Sequence, residues 1–293
     1  MKIILSRKGF DSASGGFASP ILPDGKIVSL PIPEKASGVK YSDLRLGNES
    51  TYYSLMSSLC GGKIKADKNL QPLSPDTSCH LDPDISQEII ARANRWRGAF
   101  GQIDQSATHL SNQGVQIGDL FLFFGWFRRT ISNNNRILYD KMDKDGRHVL
   151  FGYMEVGEII KTETTMLGYE WLGNHPHLHE TRTNKATNTL YLASKQLSFS
   201  PQLSGCGTFQ FSPELVLSQE GMTKSKWALP DFFKNVDISY HSKDSWKEGY
   251  FQSVGRGQEF VLDATDEIEN WVHGIINRNI AEVQVANETE KIE

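Results

Sequence analysis

Cysteine is scarce in this chain. Cys60, Cys79 and Cys206 are odd in number and far apart, and no CxxC pair occurs. That pattern excludes a disulfide framework and a cysteine-built zinc site. Long hydrophobic runs are missing as well. No apolar stretch approaches the roughly 20 residues that span a bilayer, so no membrane partner is expected. The opening MKIILSRKGF holds too few apolar residues for the hydrophobic part of a signal peptide, and the expected compartment is the cytosol. An excess of one charge is also absent. Lys and Arg number 31 against 35 Asp and Glu, a net charge of -4. This argues against a strongly basic nucleic-acid coat and leaves room for a local basic cleft. No internal repeat and no Pro- or Gly-rich linker divides the chain.

What remains is an ordinary globular composition, 293 residues with 38% hydrophobic and 23% charged. A chain of this length buries roughly three quarters of its unfolded surface. The expected organisation is one large domain over 1–280 with a polar, frayed tail over 281–293. Lys2–Ser6 reads as a buried strand. The Pro23-Asp24-Gly25 turn joins Ile21 to a second strand, KIVSLPIP, as a hairpin. Residues 42–60 are partly helical, and 85–97 reads as a helix capped by Asp84 or Ser86. A further helical turn falls at 106–112. GDLFLFFGWFRR and HVLFGYMEVGEII are the strongest strand signals, and the glycines inside them indicate bulges or barrel corners. NTLYLA and GTFQF add short strands. Ile268, Trp271, Val272 and Ile275 share one face of a closing helix over 266–279. The fold class is therefore mixed α+β, with a β-rich centre expected to close into a small barrel and helices flanking it.

Five constellations carry possible chemistry. At the end of the first strand, Arg7 and Lys8 suit an anionic ligand. Asp11 there is a candidate base, and Ser12 a nucleophile if a base lies beside it. The blander reading is a solvated strand end with an Asp-Ser turn. In SCHLDPDI, His80 and Asp82 form an acid–base or metal pair, or else the acids only cap the following helix. Gln102, Asp104, Gln105 and His109 fall in FGQIDQSATHL, where an amide reads a base edge or merely lines a polar loop. In NHPHLH, His175, His177 and His179 alternate and would share one face of an extended chain. No carboxylate or cysteine stands beside them, so hydrogen-bonding or catalytic roles are preferred and no metal site is expected. In GRGQEF, Arg256 between two glycines either meets a phosphate or sits in a tight turn.

MKIILSRKGFDS, SPILPDGKIVSLPIP, CHLDPD, FGQxDQxxxHL running into GVQIGDLFLFFGWFR, HVLFGYMEVGEII and HPH occur in that order. Together they resemble the nucleotide modification associated domain 3 family over nearly the whole chain. The resemblance implies a partner that is a nucleotide or nucleic acid, and a genomic setting in phage and bacterial neighbourhoods tied to modified nucleotides. It carries over Arg7, Lys8, Asp11, Ser12, His80, Asp82, Gln102, His109, His175 and His177 as motif residues. It names no reaction, no cofactor and no protein partner. Separately, the aromatic strand pair is similar to small barrels of the PUA and EVE type, a fold-level analogy.

Three readings stay open. One is an enzyme acting on a nucleotide or a base in nucleic acid by group transfer or hydrolysis. In it Arg7 and Lys8 hold phosphate, Asp11 and His80 move protons, and Gln102 and His109 contact base or sugar. The second is a non-catalytic reader with Trp126, Phe127 and Arg128 as its cage. The third is an interaction subunit without a common pocket.

Overall fold

The first strand shows no alternation because it is buried on both faces: Ile3, Ile4 and Leu5 are all fully covered. In the computed structural model, β1 (Lys2–Arg7) lies between β14 (Glu259–Asp263), antiparallel, and β6 (Leu120–Asn133), parallel. The structure describes residues 1–48, 50–134, 136–161, 169–173, 175–255 and 257–281. The remaining elements in chain order are β2 (Ser19–Ile21), α1 (Tyr52–Cys60), β3 (Lys63–Ala66), β4 (Asn69–Pro72), β5 (Ala99–Gln102) and α2 (Asp104–Asn112). Then come β7 (Arg136–Tyr139), β8 (Arg147–Lys161), α3 (Glu180–Thr183), β9 (Thr189–Ala193) and β10 (Cys206–Thr208). The chain closes with β11 (Lys226–Trp227), β12 (Trp246–Lys247), β13 (Tyr250–Gln252) and α4 (Asp266–Asn279).

Among the described residues, the main sheet runs β14-β1-β6-β8-β9-β5, with β2 and β7 also on β6 and β10 on β8. The expected barrel is not there. No ladder joins β14 to β5, so the sheet stays open. It curls strongly nonetheless: Phe100 of β5 packs edge-on against Phe121 and Phe123 of β6, with centroids 5.0 and 5.4 Å apart. Among the described residues, the two sheet ends share no ladder and meet through side chains, where Gln102 Nε2 donates to Glu259 Oε1 at 2.6 Å. The glycine expectation holds at one place in particular. Gly157 is the extra residue where the β8–β9 register slips between Val156 and Glu158. A Cβ there would fall 2.6 Å from the Ser194 backbone.

The helices at 52–60, 104–112 and 266–279 match the expected segments. A Thr51–Ser54 capping box starts α1, and Gly61 at φ 61° ends it. Acidic residues fill the first turn of α4, and Ile268, Val272, Ile275 and Ile276 turn inward. No helix forms at 85–97. Ile85 joins the core of the main sheet and Ile89 a second core built from residues 10–90, so the two cannot share one helix face. The Asp84 carboxylate instead takes a fork from Arg92, and its backbone bridges Ala99. KIVSLPIP makes isolated bridges rather than a regular strand, since Pro31 and Pro33 lack the donors a ladder needs. Of GTFQF only Gly207 and Thr208 join a strand, β10, which starts at Cys206. The tail from 282 lies outside the described residues.

Candidate active site

A cavity of about 660 Å³ opens where the end of β1, the start of the 80–82 segment and the end of β5 converge. Arg7, Lys8, Asp11, Ser12, His80, Asp82, Gln102 and His177 all line it. Residues spread over 170 positions of sequence are thus drawn to one place by the curl of the sheet.

The floor is built around Asp82. Gly101 N–H, in the buried strand β5, donates to Asp82 Oδ1 at 2.9 Å. His175 Nε2 stands 3.5 Å from the same oxygen and has no hydrogen-bond partner among the described residues, with its side chain fully buried. The other oxygen, Oδ2, faces His80 Nε2 at 3.5 Å and His177 Nε2 at 3.7 Å. Each of these rings is held from behind. His80 Nδ1 meets Glu34 Oε2 at 2.7 Å, and His177 Nδ1 meets Asn188 Oδ1 at 2.7 Å. Arg182 in turn holds Glu34. Burial raises the Glu34 carboxyl, but hydrogen bonds and charge from His80 and Arg182 outweigh it and bring the pKa to about 2. Burial pulls the His80 imidazole down, and the carboxylates of Asp82 and Glu34 more than reverse this. At His177 burial wins: its pKa falls to about 4 despite Asp82.

The predicted shared face of His175, His177 and His179 takes a different form. Pro176–Leu178 is a 3-10 turn, so His175 and His177 both reach Asp82. His179 is exposed and caps α3, accepting from Thr181 N–H.

A second part of the lining is basic. Arg7 NH2 donates to Gly255 O at 3.0 Å and Gly257 O at 2.7 Å. Lys224 Nζ lies 4.1 Å above the Trp126 ring. Burial lowers the pKa of both Arg7 and Lys224. Among the described residues, neither pairs with a carboxylate within salt-bridge distance. Lys8 is different: its ammonium is spent on Glu259 Oε1 at 2.6 Å, a buried pair. His148, also on the wall, accepts from Trp227 Nε1 at 3.0 Å, and burial drops its pKa to about 3.

Other expected residues fare differently. Asp11 is exposed, and its Oδ1 accepts from Ala13 N–H and Ser14 N–H, each at 2.7 Å. This is the turn of the blander reading, with Oδ2 still available. Ser12 is exposed, and its hydroxyl meets no base among the described residues. His109 lies outside the cavity lining, with Nε2 3.1 Å from Ser239 Oγ. Asp104 pairs with Lys185 on the surface. Arg256 lies outside the described residues. Of the cage candidates, Phe127 is core, and Arg128 is spent on the Asp143 and Asp140 carbonyls.

Sequence reasoning passed over Glu34, Gly101, Asn188, Arg182 and Lys224. No motif flags them. The one usable sign was the glycine of FGQ. A Cβ on Gly101 would lie 2.2 Å from His177 Cγ, so only glycine lets that ring seat. Gly101→Ala should therefore displace His177 and cost about 1–3 kcal/mol of stability. Chemical unfolding will show it; an unchanged midpoint would mean the ring is not packed there.

The sequence model of nucleotide modification associated domain 3 matches residues 2–263 of the chain. No curated protein and no solved structure matches it. A match of that extent places the chain in the nucleotide modification associated domain 3 family.

Proposed function

We propose that this member of the nucleotide modification associated domain 3 family is an enzyme that acts on a nucleotide, free or within nucleic acid, by group transfer or hydrolysis. Its family supports a role in nucleotide modification. The observation that carries the finer reading is the division of one cavity into two chemistries. Arg7 and Lys224 offer partly desolvated cations without carboxylate partners among the described residues. The same cavity is also lined by the Asp82 cluster of buried titratable side chains. A phosphate belongs against the cations, where charge-assisted hydrogen bonds are strong. The group that reacts then faces His80, Asp82 and His177. Perturbed titratable residues in a cleft mark this kind of centre. Asp11, on the basic side with one oxygen available, is the proton acceptor of this reading.

The non-catalytic reader loses its cage. Lys224 covers the half-buried ring of Trp126, and Phe127 belongs to the core. The basic wall is tested by calorimetry with deoxynucleoside monophosphates and the matching nucleosides. Monophosphates should bind at least about tenfold more tightly, since a hydrogen bond to a charged group contributes about 1.5–3 kcal/mol. Arg7→Gln and Lys224→Gln should each erase most of that difference. Equal affinity for nucleoside and nucleotide sinks the assignment. Product analysis by mass spectrometry after incubation with nucleotides and with DNA carrying modified bases then tests turnover.

A further inference from the structure

We propose that His80 Nε2, Asp82 Oδ2 and His177 Nε2 bind one first-row divalent transition-metal ion on the floor of the cavity. The inference deepens the functional reading above, and rests on it for the use the ion is put to. The site itself stands on geometry.

The ligand atoms of these three side chains lie within 4.8 Å of one another. Ligands about 2.0–2.2 Å from a common ion stand roughly 3.3–3.5 Å apart in a tetrahedral arrangement. The two edges from Asp82 Oδ2, 3.5 Å to His80 and 3.7 Å to His177, need to contract only slightly.

The hydrogen bonds behind the rings say which nitrogens are free to ligate. Asn188 Nδ2 donates to the His177 carbonyl at 2.9 Å, which fixes the amide and makes its Oδ1 an acceptor. His177 Nδ1 must therefore carry the proton that meets Asn188 Oδ1 at 2.7 Å. Its Nε2 is left with a lone pair. His80 Nδ1 likewise faces a carboxylate, Glu34 Oε2, at 2.7 Å and donates to it. In the neutral ring its Nε2 also presents a lone pair. With His80 neutral, two lone pairs and a carboxylate oxygen converge, and a metal cation that displaces any proton on His80 Nε2 satisfies all three. A carboxylate or amide oxygen behind each imidazole is the usual outer support of metal-binding histidines.

Asp82 is supported in the same way. Gly101 N–H occupies Oδ1 at 2.9 Å and turns Oδ2 toward the histidines. His175 accepts from His177 N–H through Nδ1, so its neutral ring carries the proton on Nε2, aimed at Oδ1 from 3.5 Å. That fully buried nitrogen, without another partner among the described residues, makes His175 a positioning residue for the ligand oxygen. Two imidazoles and one carboxylate suit zinc or ferrous iron, whereas magnesium prefers oxygen ligands and retained water. All three ligands line the cavity, so the remaining coordination positions face the ligand space.

The test uses the full chain, stripped with EDTA, returned to metal-free buffer and titrated with Co(II) alone while visible absorption is followed. One equivalent should saturate the bands, Zn(II) should displace it, and excess Mg(II) should not. Asp82→Asn and His177→Asn should each weaken Co(II) binding at least a hundredfold with an unchanged circular dichroism spectrum. If Asp82→Asn does not fold, His80→Asn takes its place. No saturable absorption in the parent protein, or variants that bind like it, overturns the site. Nucleotide turnover in EDTA without cobalt binding overturns the metal and keeps the functional reading. Cobalt binding without any nucleotide turnover keeps the metal and overturns that reading.

Discussion

Lys8→Met should destabilise the protein by about 3–5 kcal/mol, the cost of stripping one partner from a buried ion pair. The Lys8 and Glu259 side chains are 8% and 1% exposed and meet at 2.6 Å. With methionine in place, the Glu259 carboxylate keeps only the Gln102 amide. Its second oxygen already has no hydrogen-bond partner among the described residues. The loss is felt at a vulnerable point, since the Gln102–Glu259 hydrogen bond links the two free ends of the sheet. Adding Glu259→Gln to Lys8→Met should return most of the stability, because removing both charges also removes the unpaired one. Denaturant titration of the two single variants and the double variant measures the coupling. A Lys8→Met protein that melts normally but loses nucleotide affinity would return Lys8 to the phosphate-binding role that its position at the strand end first implied.

The second large effect is chemical. Asp82→Asn should lower turnover by at least about a hundredfold, the scale on which a reaction centre feels the loss of one charged group. Stability should change far less. The asparagine oxygen still accepts Gly101 N–H, so the β5 end keeps its bond. Asp82→Ala lacks that acceptor and leaves the amide unpaired, a further cost of about 1–3 kcal/mol. Activity should therefore fall alike in both variants, with the melting point falling mainly in the alanine one. Retained turnover in a folded Asp82→Asn protein moves the chemistry elsewhere in the cavity.

Much of the scaffold was legible because its signals are local. The partly helical reading of 42–60 became α1 at 52–60. The Ile268, Val272 and Ile275 spacing turns one face of α4 inward. Gly157 lets the β8–β9 register slip. Errors came where local pattern and long-range packing disagree. Ile85 and Ile89 have helical spacing, but two different cores claim them. Closure into a barrel was not written in the aromatic strands, because closing depends on whether the outermost strands find one another.

By itself the sequence determined which residues are chemically capable: Arg7, Asp11, His80, Asp82, Gln102 and the His175–His177 pair, each recognisable from its residue type and place. It also determined the buried strands and helices that carry them, since burial period and capping act over a few positions. Only the tertiary structure decided what these groups do to each other. It neutralised Lys8 with a glutamate 251 positions away and set His109 apart from the cavity. It also gave the histidines the carboxylate that their own segment lacks, more than ninety positions upstream at Asp82. The reason is the range of the forces. Propensity is fixed by neighbours along the chain, whereas charge pairing and ligand geometry depend on distance in space, and the curl of an open sheet sets that distance here.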